Sequence, residues 1–229
     1  SNTYPTSTLL YRAPVDGVIL GSNDGTNWYK LTEFSGKTYS SGVWTRIDVN
    51  ATTPYQYFRM CITKIGTGTS QFGYTELTEW RLFAEKSVTR MENVHISGTL
   101  SSETLQTSHI KWPKVPLKAN ESEGYVASAS SVHINDSLYQ PYRAFEDKGE
   151  YTAAANPSWA SGVDSFALGL AQTSRTTGTD TFAHEWLQIQ LPQAIQLSYF
   201  LISSRKERPE YLAPKSGYMY ASNDGVSWT

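Results

Sequence analysis

Apolar and aromatic side chains alternate with polar ones through "GVILGS", "YQYFRMCITKI", "TEWRLFA", "EWLQIQL" and "SYFLISSR". Successive side chains of a strand point to opposite faces, so this period of two predicts strands with one face buried. Helical periodicity is almost absent, and no helix longer than about three turns is expected. "SNDGTNW" and "SNDGVSW" fall between strand patterns. Asn and Asp tolerate left-handed backbone angles and Gly adopts positive φ without steric cost, so both read as hairpin turns. The tryptophan that follows each turn starts the return strand, and Trp28 and Trp186 are expected to be largely buried.

Those two turns belong to a longer duplication. "YRAPVDGVILGSNDGTNWY" from Tyr11 and "YLAPKSGYMYASNDGVSWT" from Tyr211 are offset by 200 residues and agree at nine of 19 positions. An internal repeat defines the structural unit. The chain accordingly divides into residues 1–84, the back of one repeat, a polar connector at 85–122, and residues 123–229, the front of the next. The connector ends in "KWPKVPL", whose tryptophan and prolines suit an extended segment laid against a surface. Its Val, Ile and Leu content predicts order, not a flexible linker.

Composition narrows the class without changing it. Aromatic residues reach 13%, with 15 Tyr and 7 Trp, as suits an all-β protein rich in turns. Nineteen basic against 21 acidic residues give a net charge of −2, which offers no electrostatic footprint for nucleic acid. The single cysteine, Cys61, excludes an intrachain disulfide and reads as a buried strand thiol. No leader-like or membrane-spanning run is present in this stretch, so membrane insertion is not expected.

From Tyr125 onward, the order "YVASASS…AFEDKGEYTAAANPSWAS…EWLQIQLPQAIQLSYFLISSR…PKSGYMYASNDGVSWT" resembles the discoidin family, also called coagulation-factor C-type or galactose-binding-like domains. Residues 11–84 resemble the other end of such a domain, with the hairpin followed by "GVWTRIDV", "YQYFRMCIT" and "ELTEWRLFA". The resemblance implies antiparallel jelly-roll β-sandwich modules whose loops bind sugars, lipids or protein surfaces without catalysis. "VHISGTLSSETLQT", "KWPKVPLKAN" and the following module are also similar to connectors and discoidin-like modules in structural proteins of large algal viruses and phage-like fibres. That likeness implies a virion location, on a capsid or fibre exterior. A cell-surface adhesin and the accessory domain of a secreted glycosidase are the alternatives.

Candidate chemistry is sparse. The histidines His95, His109, His133 and His184 lack metal-ligand spacing, and no nucleophile elbow or phosphate-binding loop occurs. Glu76 with Glu79 and Glu146 with Asp147 are paired carboxylates, but nothing in their spacing argues for a glycosidase pair. No enzymatic activity is expected. The family resemblance implies a structural calcium held by the Ala-Phe-Asp loop and a Glu before the closing strand, which here are Glu146, Asp147 and Glu79. Because this loop reads Glu-Asp-Lys-Gly-Glu-Tyr-Thr, a solvated acidic loop is the competing reading. For ligand contact, Tyr142, Tyr151, Trp159, Arg205 and Arg208 are the expected residues, since aromatic faces and Arg forks grip sugars. The competing reading makes Tyr142 and Trp159 core plugs and Arg205 to Arg208 an ordinary solvated hairpin.

Two function classes remain: a glycan-binding adhesion module, and an architectural repeat whose partners are neighbouring structural proteins or flanking repeats of its own chain. Half a sandwich leaves an apolar face uncovered, so each half needs a complement. Either the two halves close on each other as a permuted domain, with duplicated hairpin strands competing for one slot, or each is completed by chain outside these residues. The second is expected, because a permuted domain has no use for two copies of the hairpin. Aggregation or partial unfolding of the 229 residues alone would follow.

Overall fold

The computed structural model describes residues 14–23, 29–37, 43–49, 51–65, 73–85, 109–148, 157–177, 180–203 and 216–222. Before the connector lie β1 (Pro14–Ser22), β2 (Tyr29–Ser35), β3 (Thr45–Asp48), β4 (Tyr55–Ile65), β5 (Glu76–Leu77) and β6 (Glu79–Glu85). The end of the connector supplies β7 (His109–Trp112) and β8 (Glu121–Ser122). After it come β9 (Tyr125–Ala129), β10 (Trp159–Ala160), β11 (Phe166–Ala167), β12 (Leu170–Ala171), β13 (Ser174–Thr177) and β14 (Asp180–Ala183). The long β15 (Glu185–Ile195), then β16 (Leu197–Ser203) and β17 (Ser216–Ser222), complete the described strands. Among the described residues the helical segments are short 3-10 turns, the longest Pro141–Phe145.

The strands form an all-β, mostly antiparallel arrangement. A nine-stranded sheet is built around β4 and β15, and a four-stranded sheet runs β3-β16-β6-β7. Each sheet mixes strands from both sides of the connector: β4 pairs with β15, and β6 with β16. β1 and β17 both lie beside β4, antiparallel to it, and both also pair with β2. Asp24 to Trp28, expected to form the first hairpin turn, fall outside the described residues, as do Asn223 to Thr229, which include Trp228.

Alternation turns into packing where the two sheets meet. From β4 come Phe58, Met60 and Ile62, and from β15 Leu187, Ile189 and Leu191, all fully buried. Facing them are Ile47, Trp80, Leu82, Phe200 and Ile202 of the smaller sheet. Trp80 sits between Phe145 and Phe200, with ring centroids 5.6 and 6.2 Å away. Part of the connector joins this core, since β7 pairs with β6 and both Trp112 and Leu117 are buried.

The outer face of the large sheet departs from simple alternation. Arg59 and Cys61 point away from the sandwich interior but are buried. The cause is a further layer, the self-paired hairpin β13–β14 with Thr177 and His184, which covers them. Trp186, expected to be largely buried, is partly covered on this outer face, with the Arg59 guanidinium 4.2 Å from its ring.

Candidate functional site

Pairing across the large sheet sets three side chains in a row. Trp186 of β15, Cys61 of β4 and Tyr218 of β17 are register partners, so their side chains share the outer face. The β13–β14 hairpin brings Phe182 against this row. Its ring meets Tyr218 edge to face at 5.7 Å and 75°. Lys30 reaches across from β2, with Nζ 4.9 Å over the Tyr218 ring and 2.9 Å from Glu33 Oε2. The result is an open cleft of about 590 Å³ lined by Lys30, Thr63, Asp180, Thr181, Phe182, Ala183 and Tyr218. Aromatic faces flanked by hydroxyl, carboxylate and ammonium groups can stack on the apolar face of a ring and hydrogen-bond its rim.

A relay of hydrogen bonds fixes the cleft floor. Arg59 donates to Gln188 Oε1 through Nε at 2.9 Å and Nη2 at 2.7 Å, and through Nη1 to Thr177 Oγ1 at 3.3 Å. His184 Nδ1 lies 3.0 Å from the Phe182 carbonyl and must donate to it. That tautomer leaves Nε2 to accept from the Thr177 hydroxyl at 3.0 Å. Burial lowers the His184 pKa to about 3 and that of Arg59 to about 9, and it raises that of the Cys61 thiol. Cys61 is therefore an inert, neutral thiol in the floor.

The turn region where sequence placed the ligand is built differently. Asp136 Oδ1 accepts from Leu138 N at 2.9 Å and caps one 3-10 turn, and Pro141 opens the next. Tyr142 is half-buried there, its N–H bonded to Asn120 Oδ1 at 3.2 Å and its ring 4.6 Å from the Arg143 guanidinium. Trp159 requires a correction. Its ring is fully buried and Nε1 donates to the Ser131 carbonyl at 3.1 Å, so it fills the core and offers no face to a ligand. Tyr151, Arg205 and Arg208 lie outside the described residues.

Glu79, Glu146 and Asp147, the expected calcium ligands, do come together, each against cations of this chain. Asp147 adopts φ 54°, a left-handed angle that Asp tolerates. The Lys148 N–H that follows donates to Glu79 Oε2 at 3.1 Å. Arg81 bridges Glu79 Oε1 and Asp147 Oδ1, each at 2.8 Å, and Lys111 pairs with the other Asp147 oxygen. Glu146 binds Arg143 at 2.6 Å and Lys148 at 2.7 Å. The Lys148 ammonium also donates to the Arg143 and Pro157 carbonyls. This ion-pair network does not fit a shared calcium ion, because an ammonium takes the oxygens that a hard cation would need. Among the described residues, no group of three or more His, Cys, Asp or Glu is placed to hold a metal. Burial first of all raises the Glu79 pKa and lowers that of Lys148.

Sequence reading missed Lys30, Phe182 and Tyr218. The duplication carried a signal for one of them, since Tyr218 stands where the first copy has Val18. It also missed Glu185, a buried carboxylate at an inward position of "EWLQIQL", which binds Arg175 at 2.8 Å and the hydroxyls of Ser130 and Ser131 at 2.6 and 2.5 Å. Comparison of the chain with protein-family models, curated proteins and solved structures returns no match.

Proposed function

We propose that this chain is a non-catalytic carbohydrate-binding module of a repetitive virion or fibre structural protein, with the outer-face cleft as its binding site. The observation that carries the reading is the Phe182–Tyr218 pair in an open cleft rimmed by Lys30, Asp180 and Thr181. Stacking on pyranose C–H faces needs such rings, and orientation needs such polar neighbours. Two sheets enclosing one core support the jelly-roll, discoidin-like interpretation of the fold. The duplicated strand phrase supports the repetitive setting. Glu76 is buried against Ser158 and Glu79 is paired with Arg81, which supports binding without hydrolysis.

A purely architectural role has its own supporting observation, the mixing of strands from both sides of the connector in each sheet. A glycan array separates the two. The carbohydrate reading expects a defined set of oligosaccharides to bind, no product to be released, and binding to be lost in Phe182→Ala and Tyr218→Ala variants that melt normally. Silence across the array would overturn it in favour of the architectural role.

A further inference from the structure

The duplicated strands are placed against the same stretch of β4. Val18 and Tyr218 both pair with Cys61, Ile19 and Met219 with Met60, and Leu20 and Tyr220 with Arg59. These registers differ by the same 200 residues that separate the two copies of the sequence, and β1 runs parallel to β17 with Gly17 matched to Gly217 and Ser22 to Ser222. The other edge of β4 is taken by β15. A strand edge presents one row of N–H and C=O groups, and that row serves one neighbour at a time.

We propose that the position between β2 and β4 is a strand-exchange site, seated alternately by β1 and β17, and that the occupant switches the cleft on or off. Both sequences meet the requirements of the slot. Each offers an apolar residue opposite Met60, Ile19 or Met219, and a glycine at its entry, Gly17 or Gly217. On the outer face they are not equivalent. With β17 seated, Tyr218 stands beside Cys61 and faces Phe182; with β1 seated, Val18 takes that position and the cleft loses its aromatic wall. The two registers are matched residue for residue, so exchange preserves the ladder and keeps an apolar residue opposite Met60 while changing the cleft. The second half of this statement deepens the carbohydrate reading and rests on it. The first half does not.

Native Cys61 makes the test direct, because directly opposed Cα atoms in an antiparallel pair lie within reach of a disulfide. In the full chain, Val18→Cys and Tyr218→Cys each place a second thiol opposite Cys61. Because Cys61 is buried and inert in the folded protein, oxidised glutathione is present while each variant refolds from denaturant, and removes two protons and two electrons from each pair that seats. Exchange expects an intramolecular disulfide in both variants, seen by mass after trypsin cleavage. A disulfide in only one of them would overturn the proposal, as would cross-linked dimers in place of intramolecular products.

Proline, which cannot donate to the ladder, gives a second readout. Gly17→Pro and Gly217→Pro should each melt close to the parent, since the other copy takes the slot, while the double variant should lose its cooperative transition. Equal, additive losses would contradict exchange. Finally, lactose titration followed at the Phe182 ring should shift the parent and leave the Val18→Cys disulfide form unmoved. Equal shifts in both forms would overturn the switch. If the parent gives no lactose shift and the glycan array is silent while both disulfides form, the carbohydrate reading fails and strand exchange stands.

Discussion

The cleft on the outer face and the turn at Pro141–Phe145 contain the same kinds of side chain, yet they can do different things. Around the turn, Tyr142 is tied to Asn120, Trp159 is buried, and Arg81, Lys111, Arg143 and Lys148 are each matched to Glu79, Glu146 or Asp147. In the cleft the groups also have partners, Phe182 stacking on His184 and meeting Tyr218, Lys30 pairing with Glu33 and Thr181 with Thr176, but they border an open volume of about 590 Å³ with Asp180 and Thr181 exposed at its rim. An aromatic-plus-cationic composition therefore does not identify a binding surface; the open volume beside those groups is what distinguishes the cleft.

The largest expected effect falls on the turn side. Trp159→Ala removes a fully buried ring and its hydrogen bond, and should cost about 3–5 kcal/mol in denaturant unfolding. Oligosaccharide binding by the fraction that stays folded should be unchanged. Loss of binding without loss of stability would move the site back to Trp159. Next is Arg81→Ala, which leaves the buried Glu79 carboxylate without its strongest cation. A loss of roughly 2 kcal/mol is expected, reduced from fully buried pairs because Arg81 is partly exposed. Calcium should not restore the melting temperature of this variant. Restoration would show that the carboxylates can act as a metal centre.

Acid should separate the two regions by sign. His184 has its folded pKa lowered from 6.5 to about 3, so the stability it contributes is full above pH 6.5 and is lost as pH falls toward 3. The loss should be about 1.4 kcal/mol at about pH 5.5 relative to neutral pH, and a His184→Gln variant should lack it. Glu79 behaves oppositely. Its raised pKa gives a contribution present below its unfolded value and lost as pH rises through the folded one, so Glu79 itself adds no loss of stability in mild acid. A stability profile flat in both proteins between pH 7 and 5 would contradict the relay through Thr177 and His184.

How far these regions could be read from sequence follows from what period two encodes. "YQYFRMCITKI" and "EWLQIQL" were legible as strands, and they form β4 and the start of β15, because each has one face on a shared core. Alternation says nothing of a third layer, so burial of Arg59 and His184 at the β13–β14 hairpin was invisible; Cys61 was expected to be buried, but not that an outer hairpin would cover it. Which face Trp186 takes was unreadable for the same reason, since a tryptophan among alternating residues can sit on either face. The family resemblance grouped the carboxylates Glu79, Glu146 and Asp147 as metal ligands; their cationic partners come from β6, β7 and the turn itself, at separations local reading does not connect. Tyr218 was within reach, because comparing the repeats position by position sets it against Val18.

The central claim, that the outer-face cleft is the ligand site, is tested most directly by a backbone and aromatic NMR titration of the 229-residue chain with the oligosaccharides selected on the array. Shifts concentrated at Lys30, Thr63, Thr181, Phe182 and Tyr218, with Tyr142 and Arg143 unmoved, are the expected result. Shifts centred on Tyr142 and Arg143 with the cleft silent would contradict it.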